Sequence, residues 1–241
     1  MPQEKIDLLR KKLDELKLEG AKIRSFKGFP VMQKAFFPGG HGLYEGIDGT
    51  LPIGGTLILG SNFGCVADFV NDAEDLIRQD ETSSSATWRG LKEILPRTPI
   101  KFDACFFTNA FPYLHDGESN LTKNLISIWL RDEPLIQDCV HFFNDTLSTI
   151  RPNLIVALGT GASSFLSRIW PIELKAWAGR SIASMDQTPW ATVSFEGWAG
   201  ICAAITHPSD RRNAVLRQPP YRGREGEIRL ITEAAKKAGI G

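Results

Sequence analysis

TLILGSNFG, residues 56–64, is the stretch of sequence that decides the fold of this chain. Its first part, Thr56–Leu59, is an apolar run that is long enough for a buried parallel strand and too short for a helix. Its second part, Gly60–Gly64, places polar residues between two glycines, and glycine lets the backbone come close to a ligand. Taken alone, the stretch also fits an ordinary turn after a strand, so the rest of the chain has to decide between a turn and a binding loop.

The composition is that of a folded protein without a dominant charge. Of the 241 residues, 42% are apolar and 23% are charged, which is enough to bury the core of one large domain or two small ones. The 28 basic and 28 acidic residues cancel, so a nucleic-acid surface has to be a local patch. Residues 207–241 offer such a patch, because this segment contains eight Lys and Arg but only four Asp and Glu, which gives it a net charge of +4.

The sequence also predicts where the protein resides. No apolar run approaches the roughly 20 residues that span a bilayer. The first residues, MPQEKIDLLRKKLDELKLEG, are charged throughout and lack the apolar centre of a signal peptide. We therefore expect a soluble, cytoplasmic, monomeric protein with no membrane partner.

The four cysteines are dispersed along the chain. They are Cys65, Cys105, Cys139 and Cys202, and no two of them form a CxxC pair. Clustered thiolates are what an iron–sulfur cluster or a zinc site requires. The spacing therefore predicts buried small apolar side chains, with no metal, no metal cluster and no cofactor.

Apolar strands alternate with amphipathic helices after the opening strand. This pattern predicts a parallel sheet between helices, because parallel strands need helical crossovers. The further predicted strands are Phe102–Thr108, Leu154–Leu158, Ala191–Phe195 and Ile201–Thr206. The predicted helices are Asp68–Gln79, Thr87–Leu95, Glu133–Ile150, a segment from Gly159 to Ile169, and Glu225–Ala238.

The amino-terminal residues 3–19 have the periodicity of an amphipathic helix. Ile6, Leu9, Leu13 and Leu16 recur at helical spacing, with charged residues between them. We expect this helix to end at Gly20 and to pack on the domain, while docking on a partner protein remains the alternative.

Four of the predicted strands, which end near residues 59, 108, 158 and 206, run into polar segments, and glycines mark the first and third of these. In open α/β sheets the ligand crevice lies at the carboxyl ends of the strands. The four segments are therefore expected to converge on one site.

Two asparagines follow these strand ends. Asn62 can donate and accept hydrogen bonds but does not titrate, so it can position a water or a carbonyl but cannot act as a strong general base. Asn109 offers a paired donor and acceptor that can read the edge of a base. The alternative for Asn109 is a turn-forming role before Phe111 and Pro112.

The segment ITHPSDRRN begins at Ile205 and carries a histidine directly after a buried strand. The imidazole of His207 can donate to negative charge that develops on a leaving group. Ser209, Arg211 and Arg212 are suited to phosphate oxygens. The alternative is a structural histidine followed by a solvated arginine turn.

The segment Leu158–Ser164 places glycines and hydroxyls where a helix starts, an arrangement that favours an anion such as phosphate. Its candidate phosphate-binding residues are Gly159, Thr160 and Ser163. It lacks the sequence of a P-loop and the full GxGxxG spacing of a dinucleotide site.

These motifs, in this order, resemble the uracil-DNA glycosylase superfamily. Gly60–Gly64 matches the first strand-and-loop motif, Asn109 the base-recognising asparagine, Arg151–Gly159 the strand with a small-residue loop, and His207–Ser209 the closing His-Pro-Ser loop. The resemblance implies a three-layer α/β/α sandwich with a central, mainly parallel sheet. It also implies a single domain at residues 26–241, preceded by the helical segment 1–25.

The resemblance implies a DNA glycosylase that flips a deaminated or mismatched base, uracil above all, and hydrolyses its N-glycosidic bond. Asn62 would position the attacking water, His207 would stabilise the departing base oxygen, and Asn109 would read the base edge. The other implied base-binding residues are Gly60, Ser61, Phe63 and Trp88, either aromatic ring serving to stack on the base.

The chain also departs from the pattern of the superfamily. Asn62 stands where many active members have Asp, Phe63 stands where a proline is usual, and Asp210–Arg212 replaces an apolar wedge. The second hypothesis is therefore a non-catalytic or weakly active binding protein on the same fold. A third is an unrelated α/β enzyme for a small nucleotide, with Leu158–Ser164 as its phosphate loop.

Overall fold

The computed structural model describes residues 2–16, 23–24, 52–62, 64–66, 86–117 and 122–241. The strands are β1 (Ile23–Arg24), β2 (Thr56–Asn62), β3 (Cys105–Phe111), β4 (Leu114–His115), β5 (Leu154–Leu158), β6 (Trp190–Phe195) and β7 (Trp198–Ile205). The α-helices are α1 (Pro2–Glu15), α2 (Ala86–Ile94), α3 (Thr122–Trp129), α4 (Glu133–Ile150), α5 (Gly159–Ile169), α6 (Ile182–Gln187) and α7 (Gly223–Lys237). Short 3-10 helices cover Leu95–Arg97, Phe102–Ala104, Lys175–Gly179 and Arg211–Leu216.

A five-stranded sheet organises these elements. Its strands lie in the spatial order β3, β2, β5, β7, β6. The first four run parallel to one another, and β6 pairs antiparallel with β7 at one edge. Together with the seven α-helices of the described residues, this sheet confirms the predicted α/β class with a mainly parallel sheet.

The apolar runs of the sequence form the central strands. Leu57, Ile58 and Leu59 of β2 are fully buried, as is every residue of β5. Successive side chains of a strand point to opposite faces, so a strand that is apolar at consecutive positions suits a parallel sheet. β6 differs, because Val193 is buried while its neighbours Thr192 and Ser194 are exposed, a pattern typical of an edge strand.

Strand pairing extends beyond the apolar runs. β2 continues three residues past Leu59 to Asn62, and β3 continues past Thr108 to Phe111. The register pairs Gly60 with Asn109 and Asn62 with Phe111. The apolar run therefore marks the buried part of a strand, whereas backbone hydrogen bonds set its length.

α4 starts and ends where its sequence allows. The Asp132 side chain caps the first turn by accepting a hydrogen bond from the Leu135 N–H at 3.3 Å. Arg151 ends the helix at φ 47°, with its N–H bonded to the Leu147 carbonyl. The predicted apolar face is the buried one, comprising Leu135, Ile136, Cys139, Phe142, Phe143, Thr146, Leu147 and Ile150.

α1 lies against α4. Leu9 and Leu13 are buried, and the Lys12 ammonium pairs with the Asp145 carboxylate of α4. The helix ends at Glu15, whereas the periodicity predicted a helix to residue 19. The continuation at residues 17–20 and the predicted helix Asp68–Gln79 lie outside the described residues.

The cysteines and the lengths of the helices can also be compared with the sequence. All four cysteines are buried free thiols, as their spacing predicted. Among the helices that the structure describes, none is long and apolar enough to cross a membrane.

A buried ion cluster joins α6, β7 and α7. The fully buried Arg217 donates from Nε to Asp186 Oδ1 at 2.8 Å and from Nη1 to the Ala204 carbonyl at 2.8 Å. Its Nη1 also lies 3.4 Å from Glu227 Oε1. Glu227 in turn accepts the Thr206 N–H at 2.6 Å. Burial raises the pKa of the Glu227 carboxyl, while the Thr206 and Arg217 contacts act in the opposite direction.

Arg217→Met removes the cation of this cluster and leaves two buried carboxylates without it. We expect the free energy of unfolding to fall by about 3–5 kcal/mol, the usual cost of removing one partner of a buried ion pair. Urea unfolding followed by circular dichroism measures the change. Arg97→Met, which removes the exposed Arg97–Glu225 pair, is the control and should leave stability nearly unchanged. Equal stability of the two variants would contradict the role of the cluster.

Candidate functional site at the carboxyl ends of the strands

The carboxyl ends of four strands come together. A Cβ placed on Gly159, which has φ +81°, would lie 3.0 Å from the His207 Cβ. A Cβ placed on Gly161 would lie 2.5 Å from the Ser61 hydroxyl oxygen. Because β3 joins through the pairing of Gly60 with Asn109, the segments after β2, β3, β5 and β7 meet at one edge of the sheet.

Asn109 is the most unusual residue at this edge. It is 2% exposed, and neither its amide oxygen nor its amide nitrogen has a hydrogen-bond partner within the described part of the chain. Burying a polar group without a partner costs about 1–3 kcal/mol, so native proteins rarely keep such groups. An amide with both of its groups unpaired is suited to a ligand that offers one acceptor and one donor side by side.

Asn62 lies on the neighbouring strand, two residues beyond the partner of Asn109. From strand spacing and rise, the two Cα atoms are about 8 Å apart. The side chain is half-buried, and its Nδ2 is a buried donor without a partner among the described residues. Asn62 can therefore donate to a water or a ligand atom at the same edge of the sheet.

His207 is held in one orientation by its own loop. Its Nδ1 lies 2.7 Å from the Ser209 hydroxyl and also receives the Ser209 backbone N–H at 3.4 Å. A backbone N–H only donates, so Nδ1 accepts, and the proton of the neutral imidazole lies on Nε2. The half-buried ring therefore presents Nε2–H as its donor.

The backbone on both sides of His207 is also fixed. The preceding Thr206 N–H donates to the buried Glu227, as described above. Pro208 packs directly on α2, because a Cβ on Gly90 would lie 2.7 Å from both the Pro208 carbonyl oxygen and its Cβ. α2, α7 and β7 therefore determine where the imidazole points.

A small cleft borders His207 on the side of α2 and α7. Its lining residues are Gly90, Ile94, Thr206, His207, Pro208, Ala214, Arg224 and Glu227. The cleft includes neither Asn62 nor Asn109, so it is not the space that the two amides face. Its charged residues are engaged elsewhere, since Arg224 pairs with Glu93 and Glu227 with Thr206 and Arg217.

Trp88 is a buried core residue of α2. It is 1% exposed, and its ring packs edge-on against Phe107 at 5.0 Å and tilted against Phe102 at 5.7 Å. Phe107 lies two residues before Asn109 on β3, so Trp88 packs against the strand that carries Asn109. Phe63, the other stacking candidate, lies outside the described residues.

The predicted phosphate-binding residues differ in how far they are buried. Gly159 is buried against His207, and the fully buried Ser163 donates its hydroxyl to the Gly159 carbonyl at 2.8 Å. Thr160 is half-buried at the start of α5. Ser209 and Arg212 are exposed, while Arg211 begins a 3-10 helix and its side chain is outside the described part. The structure therefore uses the Ser163 hydroxyl within its own helix.

Sequence reasoning missed a polar contact beside the site. Arg180 donates from Nη2 to the Ser127 hydroxyl of α3 at 2.7 Å. The neighbouring Ile126 side chain reaches Gly161, whose virtual Cβ would lie 3.2 Å from Ile126 Cγ2. No sequence motif marks Arg180, because its place depends on how α3 packs over α5.

No group of three or more His, Cys, Asp or Glu side chains within the described ranges is arranged to hold a metal ion. The polar groups that do meet at this edge are amides, hydroxyls and one imidazole. Such a set can form directional hydrogen bonds to a neutral, polar ligand.

A double-mutant cycle tests whether β2 and α5 meet as described. Gly161→Ala places a methyl group against the Ser61 oxygen and should cost about 1–3 kcal/mol of unfolding free energy through overpacking. Ser61→Ala removes that oxygen and should relieve part of the clash, with a coupling of about 0.5–3 kcal/mol. Urea unfolding of the four proteins measures the coupling. Additive effects would mean that the two residues do not touch.

Comparisons with known proteins do not assign this site. No protein-family model matches the chain, and no curated protein matches its sequence.

Proposed function

We propose that the protein is a DNA glycosylase like those of the uracil-DNA glycosylase superfamily, which flips a deaminated or mismatched base, above all uracil, and hydrolyses its N-glycosidic bond. One observation carries the proposal. The buried amide of Asn109, unpartnered within the described chain, lies on the strand next to that of Asn62, at the edge of the sheet where His207 also lies.

The chemistry of a flipped base matches that amide. Uracil presents a carbonyl acceptor next to an N–H donor on its pairing edge, and enzymes that flip a base read this edge by hydrogen bonds. The carboxamide of Asn109 offers the complementary donor and acceptor in one plane. A bound base would satisfy both groups and recover the free energy that their burial costs.

His207 and Asn62 are suited to the bond-breaking step. Cleavage of the N-glycosidic bond develops positive charge on the sugar and negative charge on the base. The Nε2–H of His207 would donate to the base oxygen on which that charge develops. Asn62 would hold the attacking water, which loses its proton to solvent as its oxygen bonds to the sugar.

We also propose that the helices form the two outer layers of a three-layer sandwich. α2 and α7 would cover one face, which is supported by the Arg224–Glu93 pair between them and by the Arg97–Glu225 pair between α7 and the 3-10 helix after α2. α3, α4 and α5 would cover the other. Phe111 of β3 packs against Trp129 and Phe165, and Phe165 packs against Phe143, which supports this second layer. Burial at consecutive positions of β2 and β5 fits cover on both faces.

Asn62 favours a second candidate function. An amide cannot accept the proton of the attacking water, as a carboxylate does. The same site would then bind a flipped base or an abasic site in DNA without efficient hydrolysis. Binding to uracil-containing DNA with no release of base over hours would select this candidate over the glycosylase.

The glycosylase proposal predicts the effect of two substitutions on base release. His207→Ala and Asn62→Ala should each slow the release of uracil by about 10²–10³-fold, the range for losing one donor to a transition state. Single-turnover assays on uracil-containing oligonucleotides, with alkaline cleavage of abasic sites, measure the rate. Circular dichroism checks that both variants remain folded. Full activity in both variants would place the chemistry elsewhere.

Asn109→Leu should separate stability from activity. Leucine fills a similar volume without unpaired polar groups, so the free energy of unfolding should stay level or rise by up to about 1–3 kcal/mol. Release of uracil should be lost, because nothing then reads the base edge.

Thr146→Val is the matched control for Asn109→Leu. The buried hydroxyl of Thr146 donates to the Phe142 carbonyl at 3.1 Å. Removing this hydroxyl should lower the free energy of unfolding by about 1 kcal/mol and leave activity unchanged. Urea unfolding and the same single-turnover assay measure both effects. An Asn109→Leu protein that is less stable than Thr146→Val would show that the Asn109 amide is already engaged in the fold.

A further inference from the structure

Arg180 differs from the ion-paired arginines of the described chain, because its hydrogen-bond partner is a neutral hydroxyl. Four arginines of the described chain have carboxylate partners, namely Arg97, Arg168, Arg217 and Arg224. Arg180 instead contacts the neutral Ser127 hydroxyl, and no carboxylate within the described ranges lies at ion-pair distance from it. Its Nε is a buried donor without a partner in the same ranges.

The surroundings of this guanidinium are unfavourable for a cation. Burial lowers the pKa of Arg180, and the positive charge of Arg131 lowers it further. A partly buried cation that has a like charge nearby and no anionic partner loses free energy in the folded protein. Such an arrangement is explained when an anion from outside the chain binds there.

The position of Arg180 relative to the site narrows the choice of anion. Ser127, which holds its Nη2, is adjacent in α3 to Ile126. The Ile126 side chain and the Ser61 hydroxyl both abut Gly161, at 3.2 Å and 2.5 Å from the position of a Cβ there. Arg180 is therefore bound to the same turn of α3 that packs, through Ile126, beside Ser61, the residue before Asn62.

We propose that Arg180, oriented by Ser127 and supported by Arg131, binds a phosphodiester of the DNA backbone next to the flipped nucleotide. This inference rests on the proposed function, because a base held by Asn109 brings its flanking phosphates to the same edge of the sheet. The planar guanidinium suits phosphate oxygens, which it binds through two parallel N–H donors. Most hydrogen bonds between proteins and DNA go to the backbone, where they fix the register of the strand.

The test compares Arg180→Met with a matched loss of charge at Arg168. Arg168 also lies close to the end of α3, donating to the Leu130 carbonyl, but it already pairs with Glu133 at 3.1 Å. Fluorescence anisotropy of a labelled, uracil-containing oligonucleotide, single-stranded and duplex, gives the dissociation constant across a range of salt concentrations.

We expect Arg180→Met to weaken binding about tenfold or more, as the loss of a charged hydrogen bond does. The slope of log K against log salt should fall by about one, since one phosphate contact is lost. Arg131→Met should give a smaller effect in the same direction. Arg168→Met should match the wild type, and Arg180→Lys should lie between the wild type and Arg180→Met because it keeps the charge but not the fork.

The outcomes separate this inference from the proposed function. Equal affinity and salt slope for Arg180→Met and Arg168→Met overturn the phosphate site. Failure of the wild-type protein to bind DNA overturns the phosphate site together with the glycosylase. Binding that depends on Arg180 without release of uracil supports the phosphate site and removes the hydrolytic function. Urea unfolding checks that each variant is folded. The free energy of unfolding of Arg180→Met should be at least as large as that of the wild type.

Discussion

The parallel pairing of β2 with β3 on one side and β5 on the other is the constraint on which the rest of the structure depends. Parallel strands share one direction, so their carboxyl ends must meet at one edge of the sheet. The register that pairs Gly60 with Asn109 places the two asparagine-bearing segments side by side. In the spatial order of the strands β5 lies between β2 and β7, and this brings Gly159, at the end of β5, against His207, after β7.

Some of the buried polar atoms that have no partner among the described residues lie at or near this edge. Asn109 and the Nδ2 of Asn62 lie on two neighbouring strands, and the Nε of Arg180 lies beyond α3. Each lowers the stability of the fold, and each offers a directional donor or acceptor to a ligand. By contrast, the buried Arg217 cluster is hydrogen-bonded on several sides and fixes β7 just before His207. The residues that we propose for binding are thus different from those that stabilise the fold next to His207.

The extent to which the sequence predicted the site depends on the kind of residue. Asn62, Asn109 and His207 lie just beyond the apolar runs, so the sequence was sufficient to predict that they lie at one edge of a parallel sheet. Ser163 looked like a phosphate ligand, yet its hydroxyl bonds to the carbonyl four residues earlier, as a serine inside a helix can do. Trp88 looked available for stacking, but helical periodicity places it on the apolar face of α2, where Phe102 and Phe107 enclose it.

The sequence by itself determined the class of the fold, the order along the chain of the five strands of the main sheet, and the burial of the four cysteines, whereas it did not predict α3 or α6. These properties follow from runs and periods of apolar residues, which are local. The tertiary structure decided the spatial order of the strands, the lack of partners for the Asn109 amide among the described residues, and the approach of Arg180 to Ser127. Each of these depends on contacts between residues far apart in the chain, whose geometry no local pattern encodes.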